Sequence, residues 1–247
     1  MSSRVAIVTG GASGLGAAVS GRLASDGFHV VIADRDGAGA AHVAEAVNGT
    51  AIETDVREQH HVAAMVNKAA ALGDIKVLVL SAAVETRTSI VDTTDEQWRD
   101  VMDTNLKGPF LCMRAVVPAM IGAGGGSIVA LGSTLGQIVA PGYPAYCASK
   151  FALTNLCKQV AIEHAAAGVR VNVVAPSACD TGLFVRVAEA SGDREAIERM
   201  VTSNVPMGRL GTAREVCDAV AFFASDASSY TSGTVLPLDG GLAARRM

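Results

Sequence analysis

The apolar residues of this chain gather in seven short blocks, at 4–8, 28–33, 50–54, 76–80, 127–131, 169–175 and 234–238. They alternate little and are rich in Val and Ile, the pattern of strands buried on both faces. Between them, apolar and polar positions mix at helical spacing: from the glycines that follow the first block to Ala24, then over 36–47, 60–72, 95–120, 145–165 and 212–224. Strands alternating with helices predict a doubly wound α/β fold, one parallel sheet of about seven strands with helices on both faces. Segment 183–206 has no clean periodicity at its start and predicts a mobile lid within a single domain spanning 1–247. Residues 122–126 are glycine-rich but precede a strand, so they read as a loop. The chain shows no internal repeat, linker or low-complexity tract.

In such sheets ligands bind beyond the carboxyl ends of the strands. The first of these ends carries Thr9-Gly-Gly-Ala-Ser-Gly-Leu-Gly16. A glycine-rich turn from a buried strand into a helix lets the backbone approach a pyrophosphate, which the helix N-terminus attracts. Gly10, Ser13, Gly14, Leu15 and Gly16 are therefore candidate dinucleotide contacts. Asp34 closes the second strand about 20 residues further on, where a carboxylate accepts from an adenosine ribose hydroxyl. A 2′-phosphate there would meet a like charge, at a cost of about 4 kcal/mol at 4 Å and an effective dielectric constant of 20. Arg35 partly offsets that charge, and Ser13 is neutral, so NAD is expected over NADP. Asp55 and Val56 follow the third strand, where the carboxylate either meets the adenine amino group or caps the helix over 60–72. Ser81, Ala82 and Ala83 follow the fourth.

The chemistry concentrates in Ser133 to Lys150. Tyr146 and Lys150 stand four apart on a predicted helix, so they share a face with Cβ atoms roughly 5–6 Å apart. A free tyrosine titrates near pH ~10, too high for easy proton exchange at neutral pH. An ammonium about 4–5 Å away would favour the phenolate by about 3–4 kcal/mol, or roughly two to three pKa units. The pair is thus expected to exchange protons near neutral pH. Ser133 ends the fifth strand and can hold the other side of a carbonyl or alcohol oxygen. Asn105 lies mid-helix, a poor local choice for asparagine, and Pro109 invites a kink just after it.

With these residues placed, the chain resembles the short-chain dehydrogenase/reductase family over its whole length. The resemblance rests on Thr9-Gly10-x-x-x-Gly14-x-Gly16, Asp34, Asp55, Asn105, Ser133, Tyr146-x-x-x-Lys150, Pro176 with Thr181, and Asp239-Gly240-Gly241. It implies a Rossmann-like fold and an oxidoreductase interconverting a secondary alcohol and a ketone. Tyr146 would be the general acid/base. Lys150 would lower its pKa and bind the nicotinamide ribose, and Ser133 would orient the substrate oxygen. Asn105 would hold a water linking Lys150 to solvent. Backbone near Cys179, with the Thr181 hydroxyl, would hold the carboxamide and phosphate end. The family usually has Asn-Asn-Ala-Gly after the fourth strand and Gly after the proline. Here Ala83 and Ser177 put side chains where close backbone approach is usual. Val84, Gln137, Ile138, Val139, Tyr143, Leu183, Phe184 and Val187 would line an apolar pocket for a cyclic or otherwise apolar substrate, and Arg87 and Arg186 either anchor a substrate carboxylate or, the plainer reading, stand as solvated loop arginines. Two alternatives are a 3-oxoacyl-thioester reductase and a catalytically silent NAD-binding sensor; the complete Asn105, Ser133, Tyr146, Lys150 set favours an enzyme.

Composition narrows the rest. Half of the 247 residues are hydrophobic, enough for a sizeable core, and the net charge of −4 argues against a nucleic-acid or anionic-membrane surface. The start has no signal-peptide layout and no apolar run is long enough to span a membrane. The five cysteines are odd in number and lack a Cys-x-x-Cys pair, the pattern of buried free thiols in a reducing cytoplasm. His60-His61 lacks ligand-like spacing, so no metal is expected. Segment 145–165 is apolar around much of its circumference, which predicts a homo-oligomer, a tetramer by the resemblance.

Overall fold

A computed structural model describes residues 3–181, 184–185 and 192–244. Its sheet has seven parallel strands in the order β3-β2-β1-β4-β5-β6-β7. These are β1 (Arg4–Thr9), β2 (His29–Asp34), β3 (Thr50–Glu53), β4 (Asp74–Leu80), β5 (Gly126–Leu131), β6 (Val169–Pro176) and β7 (Val235–Leu238). The interior strands are buried almost end to end, as their unalternating sequences require. Their helices are α1 (Gly14–Ser25), α2 (Gly37–Val47), α3 (Gln59–Leu72), α4 (Asp95–Met102), α5 (Gly108–Gly122), α6 (Pro144–His164), α7 (Arg194–Thr202) and α8 (Ala213–Ala224).

Two apolar layers hold the sheet. Residues of α3, α5 and α6 pack on one face, around Met65, Met113, Val116, Ile128 and Leu153. Residues of α1, α2 and α8 pack on the other, around Val19, Leu23, Ala40, Val129 and Phe223. The strand order reverses between β1 and β4, and the crevice for a ligand opens there.

The expected helix over 95–120 is interrupted. It starts with a capping box between Thr94 and Gln97, then runs through a π-helical turn, Asp103–Lys107, before α5 resumes. Pro109 explains part of this. It has no N–H to give the carbonyl of Asn105, so an unbroken α-helix would lose a hydrogen bond there. The later part of the expected lid contains a regular helix, α7, with Asp193 accepting from Ala196 N at 2.9 Å as N-cap. Its earlier part, including Leu183, Arg186 and Val187, lies outside the described residues.

Candidate active site

Three elements deliver the candidate side chains to one place. Strand β5 ends at Leu131, and Ser133 follows in extended backbone, its Oγ accepting from Leu135 N at 3.1 Å. A single 3-10 turn, Thr134–Gly136, then folds against α6. Gly136 allows the contact, because a Cβ there would lie 3.0 Å from the Lys150 carbonyl oxygen. Helix α6 begins with Pro144, whose missing N–H costs nothing in the first turn. Tyr146 and Lys150 then face inward, 9% and 3% exposed.

The ammonium of Lys150 donates to the Leu131 carbonyl at 2.8 Å and lies 5.6 Å from the centroid of the Tyr146 ring. The expected depression of the Tyr146 pKa does not hold in this arrangement. Burial raises it above the ordinary tyrosine value, and the Glu85 carboxylate raises it further, while a hydrogen bond with Ser133 acts weakly the other way. Burial meanwhile lowers Lys150 to about 8. Spacing along the helix gives only the attraction between the two groups, and their desolvation outweighs it.

The Asn105 side chain is fully engaged with protein. Its Oδ1 accepts from Val84 N at 2.9 Å, and its Nδ2 donates to Val84 O at 2.8 Å and to Ser149 Oγ at 3.2 Å. Ser149 Oγ in turn donates to Tyr146 O at 2.8 Å. Both amide donors of Asn105 are therefore spent on protein. The fully buried side chain ties the loop after β4 to α6 across the π-turn.

The glycine turn fits a dinucleotide. Gly10 has φ of +66°, and a Cβ on it would lie 2.7 Å from Ala82 Cα; one on Gly16 would lie 2.0 Å from the Gly10 carbonyl oxygen. Gly14 has φ of +56° and meets nothing within 4 Å, so its outer side is open to a phosphate. Ser13 is the N-cap of α1 and makes no side-chain cap, which leaves the first-turn amides for an anion. Leu15 turns its side chain toward the core, so only its backbone is available. Asp34 is held at the end of β2, with Oδ2 accepting from Ala12 N and Oδ1 from Asp36 N, both at 3.0 Å.

Asp55 is not the cap of α3. Glu58 holds that position, without a side-chain cap. The Asp55 carboxylate instead takes Arg57 Nε at 2.9 and 3.0 Å and Nη2 at 2.6 Å, and Arg57 Nη1 reaches Asp100 at 2.9 Å. Arg57 lowers the Asp55 pKa, the hydrogen bonds being the largest cause. Its part in orienting Asp55 was missed in the sequence; only its position two residues later could have signalled it. Val56 is buried against Gly108, so it too can offer only backbone.

Neither departure from the family pattern occupies left-handed backbone. Among described residues Asn48 is the one non-glycine with positive φ, so Ala83 and Ser177 both sit in ordinary backbone. Pro176 ends β6, Cys179 is buried beside Gly211, and Thr181 N donates to Cys179 O at 2.7 Å. Burial pushes the Cys179 thiol up to about 11, so it is not an activated nucleophile.

On the substrate side, Tyr143 meets Tyr146 edge-on at 6.4 Å, and the Arg87 guanidinium lies 5.8 Å from the Tyr143 ring centroid. Val139 is two-thirds exposed at the rim. Phe184 is spent on internal packing: its ring is buried with Leu210, below the guanidinium of Arg194. Glu85, half-buried and close enough to raise both tyrosines, was missed, because an acidic residue in a loop carries no sequence signal of its neighbours.

A glycine cradle, a carboxylate at the end of β2, and a half-buried Ser133 beside buried Tyr146 and Lys150 at one sheet edge are the features of a nicotinamide-dinucleotide oxidoreductase. Comparisons agree: a family model described as enoyl-(acyl carrier protein) reductase matches residues 10–243, and the chain belongs to the short-chain dehydrogenase/reductase family. It is 39% identical to cis-4-hydroxycyclohexanecarboxylate dehydrogenase of Sinomonas cyclohexanicum, over 98% of this chain and 97% of that one. It is 33% identical to the 3-oxoacyl-[acyl-carrier-protein] reductase FabG of Escherichia coli strain K12, over 97% of each. The solved structure of Thermoplasma acidophilum aldohexose dehydrogenase superposes with a TM-score of 0.91 at 32% identity, covering 98% of this chain and 95% of the other.

Proposed function

We propose that this protein is an NAD(H)-dependent enzyme that interconverts a secondary alcohol and a ketone on an apolar or cyclic substrate. The observation that carries the reading is the joint burial of Tyr146 and Lys150 beside Ser133, at the edge where Asp34 faces the glycine turn. A bound nicotinamide supplies or accepts the hydride at the reacting carbon.

The chain's own residues manage the oxygen. In the reducing direction the Tyr146 phenol gives its proton to the carbonyl oxygen as the carbon gains the hydride; oxidation reverses both transfers. The Ser133 hydroxyl donates to the same oxygen and fixes its position. Because burial keeps Tyr146 protonated at neutral pH, it is ready as an acid. Lys150, near pH 8 in its own titration, provides a cation that stabilises the phenolate during turnover. Asp34 favours a ribose hydroxyl over a 2′-phosphate, which supports NAD. Residues 183–206 would cover the substrate, and the enzyme would act in the cytoplasm as a homotetramer.

The similarity to FabG and the protonated state of Tyr146 support a second reading, reduction of a 3-oxoacyl thioester. Absorbance of the reduced nicotinamide separates the two. Oxidation of cyclohexanols with NAD supports the first reading; turnover of acetoacetyl thioesters alone, with no alcohol oxidised, supports the second; no turnover of either kind defeats both.

A further inference from the structure

We propose that Glu85 is a specificity residue whose carboxylate turns away substrates carrying a negative charge beside the reacting carbon. The inference rests on the alcohol–ketone reading and adds to it the charge of the substrate.

Glu85 lies in the loop after β4, between two points at which that loop is tied down. Before it, the backbone of Val84 exchanges two hydrogen bonds with the Asn105 side chain, at 2.9 and 2.8 Å. After it, Thr88 N donates to Gly142 O at 3.0 Å, and the Arg87 guanidinium lies 5.8 Å from the Tyr143 ring centroid. Asn105 also donates to Ser149, whose Oγ donates to Tyr146 O. The loop is therefore fixed against the start of α6 from both ends, with Glu85 half-buried between them. Its charge reaches both tyrosines there, opposing the ionisation of Tyr143 and of Tyr146, second only to burial.

A substrate oxygen that takes its proton from Tyr146 must enter the same field. A charge acts through space, so the substrate need not touch Glu85 to feel it. The titratable groups that act on Tyr146 by charge, Glu85 first and then Cys147 and Tyr143, all disfavour a further negative charge. Two cations stand nearby. Arg87 is exposed over the Tyr143 ring and acts on Tyr143 less than Glu85 does. Lys150 is buried, donates to the Leu131 carbonyl and is itself pushed toward its neutral form. A neutral group beside the reacting carbon avoids the repulsion, and a carboxylate meets it in full.

The test compares 2-hydroxycyclohexanecarboxamide with 2-hydroxycyclohexanecarboxylate, a pair of similar shape and different charge, as substrates with NAD at neutral pH. Wild type should favour the amide in kcat/KM. Glu85→Gln and Glu85→Ala, which remove the charge and leave different shapes, should both narrow that ratio at least tenfold through a relative gain on the carboxylate. Glu85→Asp keeps the charge and should keep the preference, which a purely structural role for the side chain would not predict. A wild type that treats the two alike or prefers the carboxylate, a ratio unmoved in both uncharged variants, or an equal change in Glu85→Asp would overturn the proposal. If wild type oxidises neither compound, the alcohol–ketone reading fails separately, and calorimetric binding of the same pair in the presence of NADH decides. Tighter binding of the amide that is levelled in the uncharged variants upholds the role of Glu85; equal binding, or none, ends it.

Discussion

At the scale of single residues, desolvation governs the candidate site. Tyr146 and Lys150 are both pushed toward their neutral forms, one upward and the other down to about 8. The consequence for Lys150 can be measured. Its unfolded pKa is 10.5, so between about pH 8 and 10.5 the unfolded chain binds more protons than the folded one, and stability rises with pH across that window. Below pH 8 the folded protein carries a buried cation, with a single hydrogen bond to Leu131 O. Replacing Lys150 by Met should therefore abolish turnover and raise stability at pH 7 by about 1–3 kcal/mol, with the gain shrinking toward pH 10. Chemical denaturation at several pH values checks both sign and window. Tyr146→Phe removes only the phenolic oxygen and its proton. It should retain under about 1% of kcat, in line with loss of a general acid, while NADH still binds by fluorescence titration. A dead variant that also failed to bind would point to damage beyond the proton.

At the scale of elements, the π-turn and the glycine turn are the two devices that depart from regular geometry. Asn105 makes three buried hydrogen bonds across the first. Asn105→Ala leaves Val84 and Ser149 without them, and should cost about 2–4 kcal/mol by urea unfolding, with kcat falling as the loop carrying Glu85 loses its tie to α6. At the second, Asp34 is the proposed selector. Asp34→Ser should shift the ratio of kcat/KM for NAD over NADP by at least about tenfold toward NADP, through loss of the like-charge contact. Arg35 would then be available to the phosphate. Steady-state rates with both cofactors test it, and a wild type that already prefers NADP would remove the role given to Asp34. Both devices were partly legible. The glycines and Asp34 announce themselves by spacing, and an asparagine followed by a proline inside a helical stretch announces a break. That the break would be a π-turn, with Asn105 clamping Val84, needed the packing of α6 against the loop after β4.

At the scale of the whole molecule, two large apolar residues stay exposed on α6 among polar ones, Asn155, Lys158, Gln159 and Glu163. Leu153 points into the core, and Leu156 and Val160 pack at the edge of that core. Phe151 and Ile162 are exposed, and on α5 so are Phe110 and Ile121. Phe151 also lines the open groove with Ala148 and Pro144. Closed packing of further copies would cover these exposed residues, which is the reason for the proposed tetramer. Light scattering at low micromolar concentration should give four times the 25.1 kDa chain mass. Phe151→Glu should reduce that mass, because it would bring a charge into the proposed contact. A monomer in the wild type, fully active, would leave this face without a partner.

The order of the elements, the parallel sheet and the edge at which ligands gather were all fixed by local pattern. Unbroken apolar blocks suit only strands covered on both faces, and glycine at the first strand-to-helix turn is demanded by backbone contacts of under 3 Å. Type and spacing also marked Ser133, Tyr146, Lys150 and Asp34, because their chemistry depends on short separations along the chain. Tertiary structure decided what depends on neighbours distant in sequence. It set the direction in which Tyr146 and Lys150 titrate, since burial is a property of the packed site. It turned Asp55 toward Arg57 and away from capping α3, brought Glu85 beside Tyr146, and left the Gln137 amide unpaired. Each of these is an electrostatic or hydrogen-bonding balance between groups that only the closed fold brings together.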